Sequence, residues 1–110
     1  MKILLLDAQA CDVLRGQLAD LLMDALDLER RQALCYWQDV RTAVAAGTRR
    51  LLAASHDGSL LGTVQLDLCQ RPDGGRRADV QALMVHSRAR RRGIGGVLLR
   101  AAEADRVRPL

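Results

Sequence analysis

The run Ala82-Leu83-Met84-Val85, followed by Arg90-Arg91-Arg92-Gly93-Ile94-Gly95-Gly96 and then Val97-Leu98-Leu99, decides how this chain folds. Four apolar residues in succession read as a strand, the arginines and glycines as a turn, and the helical spacing from Val97 as the start of a helix. A helix start carries N–H groups with no intrahelical partner and the positive end of the macrodipole, so an anion there completes hydrogen bonds that are otherwise open. Glycine lets the backbone approach that anion closely. Gly93, Gly95 and Gly96 fall within four positions, at an entropic cost that a plain connector avoids, which favours a binding role over an ordinary turn.

Upstream, residues 2–6 form a short apolar run that reads as a first strand. From Asp12 onward, Leu14, Leu18, Leu21, Leu22, Ala25 and Leu26 recur at helical spacing and predict one amphipathic helix. Asp27 is placed to cap the next helix, whose inner face would be Ala33, Leu34, Trp37, Val40, Ala43 and Val44, with Gly47 closing it as a left-handed cap. The period then changes to two. Arg49–Ser55 and Leu60–Leu68 flank an Asp57-Gly58 turn, and Val64, Leu66 and Leu68 alternate with Thr63, Gln65 and Asp67, which predicts a hairpin with one buried face. Pro72-Asp73-Gly74-Gly75 marks a second turn before a strand over residues 78–85. The expected fold class is α/β of the α+β kind: a mostly antiparallel sheet with flanking helices, in the order β-α-α-β-β-β-α, within a single domain over residues 1–110.

The chain has 110 residues, of which 49% are hydrophobic, enough for one core and too few for two. Phe is absent, and Tyr36 and Trp37 are the only aromatics, so the core is aliphatic and stacking on nucleobases has almost no material. Cys11, Cys35 and Cys69 are widely spaced, lack metal-ligand patterns and fall in apolar segments, so they read as small core residues in a reducing compartment. Asp7 cuts the leading apolar run short of a signal peptide, and no run reaches transmembrane length. These features predict a cytoplasmic protein with no membrane partner and no metal. The net charge of +4 divides into −2 over residues 1–75 and +6 over residues 76–110, so an anion is expected at the glycine turn and a cation elsewhere.

Arg-x-x-Gly-x-Gly after a strand ending Leu-x-Val resembles the acyl-coenzyme A signature of the GNAT superfamily of N-acetyltransferases; the resemblance runs from Trp37 to Glu103 and is strongest over residues 78–103. It implies acetyl-coenzyme A as cosubstrate, its diphosphate on the amides of Arg91, Arg92, Gly93, Ile94, Gly95 and Gly96 with the Arg90 side chain nearby. The pantetheine arm would then lie along Leu83, Met84 and Val85, where one N–H faces the thioester carbonyl. The acceptor would be a small-molecule or peptide amine attacking directly, with Asp79, or a water held by Gln81, taking its proton. The family commonly has Pro at Ser87, and it continues past the motif helix with a strand and a tyrosine acid, whereas this chain stops at Arg108-Pro109-Leu110. The resemblance therefore implies a domain truncated after the motif helix, with weak activity or none, whose open strand edge is covered by a second copy in a homodimer.

Blander readings stand beside these. Arg88 and Arg90–Arg92 could be a solvated loop or a nucleic-acid contact; without aromatic interleaving or a helix-turn-helix pattern, no nucleic-acid partner is expected. His86 reads as a surface polar group and His56 as a turn residue. Asp20, Asp24, Asp27 and Glu29 read as a solvated helix face that would also attract an amine. A coenzyme A binder without turnover is the alternative function.

Overall fold

The computed structural model describes residues 1–70, 74 and 76–106, with Cys69, Gln70 and Arg76 described by their backbone alone. Strand β1 (Lys2–Leu6) leads into α1 (Ala8–Val13), α2 (Arg15–Ala25) and α3 (Arg30–Ala45), followed by β2 (Arg49–His56), β3 (Ser59–Gln70) and β4 (Arg76–Val85). A 3-10 turn (Ser87–Ala89) then precedes α4 (Ile94–Arg106). The strands form one antiparallel sheet in the order β1-β2-β3-β4. Most of the second turn, Pro72-Asp73 and Gly75, lies outside the described residues.

The predicted first helix is two helices that start earlier than expected. The Asp7 carboxylate accepts from the Ala10 N–H at 2.8 Å and opens α1, and Leu14, with φ −95° and ψ 11°, interrupts the run. Gly16, a weak helix former, follows two positions later. The interruption lets α1 lie on α3 while α2 turns Leu18, Ala19, Leu21 and Leu22 inward. Asp27 does not cap α3. Glu29 does, with its N–H donating to Gln32 Oε1 at 3.0 Å, because a Gln three residues into the helix reaches back to the cap.

Period-two alternation sorts the strand side chains onto two cores. Leu51 and Ala53 face α1–α3, joining Leu6, Leu18, Leu22, Ala33, Trp37 and Val40. Leu52, Ala54, Val64 and Leu66 face α4, joining Ile94, Leu98 and Ala102. The hairpin expected to bury one face buries both: Thr63 and Gln65 are 0% exposed, as are Val64 and Leu66. Helices cover both sides of β3, so its polar residues are enclosed along with its apolar ones. The cysteines separate as well. Cys11 is in the core, where burial raises its thiol pKa, but Cys35 is exposed, since it turns away from the face that Ala33 and Trp37 bury. The side chain of Cys69 is outside the described residues. Among the described residues no helix is long and apolar enough to cross a membrane.

Candidate coenzyme A and acceptor site

At its C-terminal end β4 departs from regular pairing. Thr63 pairs with Met84 and Gln65 with Gln81, so Ala82 and Leu83 together oppose Val64, and Ala82 has φ +55°. This is a bulge, which leaves backbone groups without ladder partners and re-aims the strand end. Gly62 makes the departure sterically feasible: a Cβ there would lie 2.6 Å from the Met84 carbonyl oxygen, 3.1 Å from Leu98 Cδ1 and 3.3 Å from Val85 Cα. Only a residue without a side chain lets the two strands and α4 approach so closely. The sequence reading passed over Gly62 because an isolated glycine in a strand carries little signal by itself.

The motif residues gather at this end. Leu83 is 40% exposed, while Met84 packs toward the α1–α3 core and Val85 toward the α4 core. Gly95 faces the strand end, where a Cβ would stand 3.7 Å from Val85 Cγ2 and 3.8 Å from Leu83 Cδ2. Ile94 is buried and pins the start of α4. The first α4 bond runs from the Val97 N–H to the Gly93 carbonyl at 3.1 Å, so the N–H groups of Ile94, Gly95 and Gly96 precede the intrahelical ladder. Arg90, Arg91, Arg92 and Gly93 are exposed; Arg91 holds φ +66°, an unfavourable conformation for a side-chain-bearing residue, and Gly93 holds φ +75°. Arg90 folds back, with Nε donating to the Val85 carbonyl at 3.4 Å. No ion pair engages Arg91 or Arg92 among the described residues.

Asp79 and Gln81 lie on β4 ahead of the bulge, directly opposite Asp67 and Gln65, hence on the face that carries α1–α3. The Asp79 carboxylate is held by Arg77, whose Nη2 and Nε approach Oδ2 at 2.8 and 3.0 Å. Gln81 is exposed. Beneath them runs a network that the sequence did not reveal: Gln65 Nε2 donates to the Tyr36 hydroxyl at 2.9 Å, and Arg49 Nη1 donates to Gln65 Oε1 at 3.3 Å. Alternation alone does not show that a strand glutamine is buried.

The structure takes Asp24 out of the solvated acidic face that the sequence predicts for it. Its carboxylate accepts from the Ser87 N–H at 2.8 Å and the Ser87 hydroxyl at 2.6 Å, and it is 19% exposed. Those two hydrogen bonds, with smaller help from His86 and Arg90, hold its pKa below the ordinary value. His86 is half-buried, and its Nδ1 caps the 3-10 turn by accepting from the Arg88 N–H. Asp20 does belong to the exposed face, paired with Arg30 at 2.9 Å. A separate hollow of about 480 Å³, lined by Leu5, Leu6, Val44, Leu68 and the stems of Arg49 and Arg50, opens at the opposite end of β3. It is remote from the glycine turn, so its size does not make it the reaction site.

A strand with a bulge, a basic glycine turn and an anchored helix start together match known folds. The structure superposes on a ribosomal-protein-alanine N-acetyltransferase from Brucella melitensis biovar Abortus 2308 with a TM-score of 0.68 at 25% identity, covering 96% of this chain and 70% of that one. An aminoglycoside 6'-N-acetyltransferase complexed with coenzyme A gives a TM-score of 0.75 at 23% identity, covering 96% and 54%. A GCN5-related N-acetyltransferase from Ralstonia eutropha JMP134 gives 0.65 at 18%, covering 94% and 74%. The model of the acetyltransferase (GNAT) family matches residues 16–108, most of the chain and all of the site, and the chain accordingly belongs to the GNAT acetyltransferase family.

Proposed function

We propose that the chain binds acetyl-coenzyme A at the β4–α4 turn and transfers the acetyl group to a primary amine. The observation that carries this reading is the junction itself: N–H groups at the start of α4 that precede the intrahelical ladder lie beside a bulged strand end whose outer edge pairs with no other strand among the described residues. The amides of Arg91 to Gly96 would take the diphosphate, with the exposed guanidinium groups of Arg91 and Arg92 adding attraction. A hydrogen bond to a charged group contributes roughly 1.5–3 kcal/mol net, so three or four approach the ~8 kcal/mol of a micromolar ligand before association costs. The pantetheine arm along Leu83, Met84 and Val85 supplies the remainder.

Acetyl-coenzyme A supplies the thioester; the chain orients it and moves protons. An N–H of the bulged segment would stabilise the oxyanion formed as the amine attacks. The proton acceptor follows from distance. At about 3.3 Å per strand residue, Asp79 lies roughly 13 Å from Leu83 along β4, and Gln81 about half as far. A general base must come within about 3 Å or act through one water, so a water held by Gln81 is the better candidate and Asp79, neutralised by Arg77, acts at longer range. The acceptor would approach over the α1–α3 face, where Gln81 is exposed and Asp67 and Asp79 lie opposite each other across β3 and β4. The edge of β4 away from β3 would be closed by a second copy of the chain, which sedimentation reads as a dimer.

Calorimetric titration with acetyl-coenzyme A and a thiol-release assay over polyamine, aminoglycoside and peptide amines test the reading. Micromolar binding with turnover of at least one amine is expected, and absence of binding at millimolar ligand overturns it. Binding without turnover is the second reading, favoured by the engagement of Asp79 with Arg77.

A further inference from the structure

We propose that Asp24 is a positioning residue for the glycine turn: from the end of α2 its carboxylate fixes the loop after β4 and so sets where the N–H groups at the start of α4 point. The inference rests on the coenzyme A reading of that turn. Both oxygens of Asp24 are used by a residue 63 positions away, Oδ2 by the Ser87 N–H and Oδ1 by its hydroxyl. Two further groups converge on it. His86, whose Nδ1 accepts from the Arg88 N–H, brings Nε2 to 3.7 Å from Asp24 Oδ1, and Arg90 Nη2 stands 4.0 Å from Oδ2.

The geometry explains why such a clamp is needed. Arg91 is held at φ +66°, and a strained residue of this kind persists only where its surroundings over-determine it. The segment is fixed by Ser87 on Asp24 at its start, by buried Ala89 and the bonds of Arg88 to the Leu60 carbonyl and Arg90 to the Val85 carbonyl within it, and by Ile94 in the core at its end. Releasing the first would let Arg91 relax toward negative φ and turn the neighbouring N–H groups away from a common centre. Asp24 touches no reacting atom; it acts through Ser87.

The test uses the full chain as wild type, Asp24→Asn, Ser87→Ala and the double variant, with coenzyme A affinity from calorimetry and amide hydrogen exchange without ligand. Each single variant is expected to weaken coenzyme A about tenfold, the scale of one charge-assisted hydrogen bond, and the double variant to be no worse than the weaker single. Exchange is expected to quicken over residues 87–93 and to stay unchanged over 51–54 and 64–66. Ser87→Ala keeps the backbone N–H and is the milder lesion should Asp24→Asn fold poorly. Unchanged affinity in both singles, additive losses in the double, or quickened exchange spread evenly over the sheet overturns the proposal. If the wild type binds no coenzyme A, the ligand reading fails by itself, and exchange alone decides Asp24: local quickening supports the clamp and no change overturns it.

Discussion

The two faces of the sheet differ in chemistry. Toward α4 the interior is aliphatic, built from Leu52, Ala54, Val64, Leu66, Ile94, Leu98 and Ala102, with buried Asp105 at the rim on Arg50 at 3.1 Å. Toward α1–α3 the interior mixes Leu51, Ala53 and Trp37 with buried Thr63 and Gln65, and Trp37 Nε1, Thr63 Oγ1 and Arg49 Nε have no hydrogen-bond partner among the described residues. A dry aliphatic face holds a helix in one place, because close-packed side chains leave it no alternative seat. That is what a fixed row of amides at the start of α4 requires. The mixed face sacrifices stability to keep polar groups beneath the strand on which Asp79 and Gln81 stand.

Breaking the close approach on the α4 face should have the largest effect. Gly62→Ala drives a methyl group into the Met84 carbonyl and Leu98, and overpacking of this kind costs about 3 kcal/mol, read by urea denaturation, together with loss of coenzyme A binding as Met84 and Val85 shift. Asp105→Ala removes the carboxylate facing Arg50 on the same side and leaves its bond to the Asp105 carbonyl. Breaking a buried ion pair costs roughly 3–5 kcal/mol, but the Arg50 side chain is 22% exposed and water takes part of the loss, so about 2 kcal/mol is expected by the same measurement.

On the mixed face, Tyr36→Phe removes the acceptor of Gln65 Nε2 and should cost about 1 kcal/mol in denaturant, less than either α4-face change. An equal or larger loss would erase the contrast between the faces. The smallest effect is confined to acid. Because the folded-state pKa of Asp24 is depressed, its contribution is fully present above the usual aspartate value of 3.8 and is lost as pH falls through the lowered value. Melting temperatures of wild type and Asp24→Asn should therefore differ at neutral pH, begin to approach each other as pH falls below 3.8, and converge once pH is below the lowered value.

The site was legible in part because its chemistry is local. Arg90 to Gly96 lie next to one another in the chain, and strand, turn and helix each announce themselves over a few residues. The helical faces of Leu18, Leu22, Trp37 and Val40 and the Asp57-Gly58 turn are of the same kind, since periodicity and turn chemistry act over one or two turns of backbone. Where local signals competed, the reading slipped. Asp27 and Glu29 both resemble caps, and only the reach of Gln32 back to Glu29 separates them.

The sequence by itself determined most of the strand and helix segments, which residues form the basic glycine turn, and where positive charge concentrates, because these follow from spacing along the chain. Only the tertiary structure decided that β3 is buried on both faces, that Gly62 must be bare, that Gln65 meets Tyr36, and that Asp24 holds Ser87. Each of these depends on which element lies against which. That is settled when two helical layers close on one sheet, and no short stretch of residues carries it.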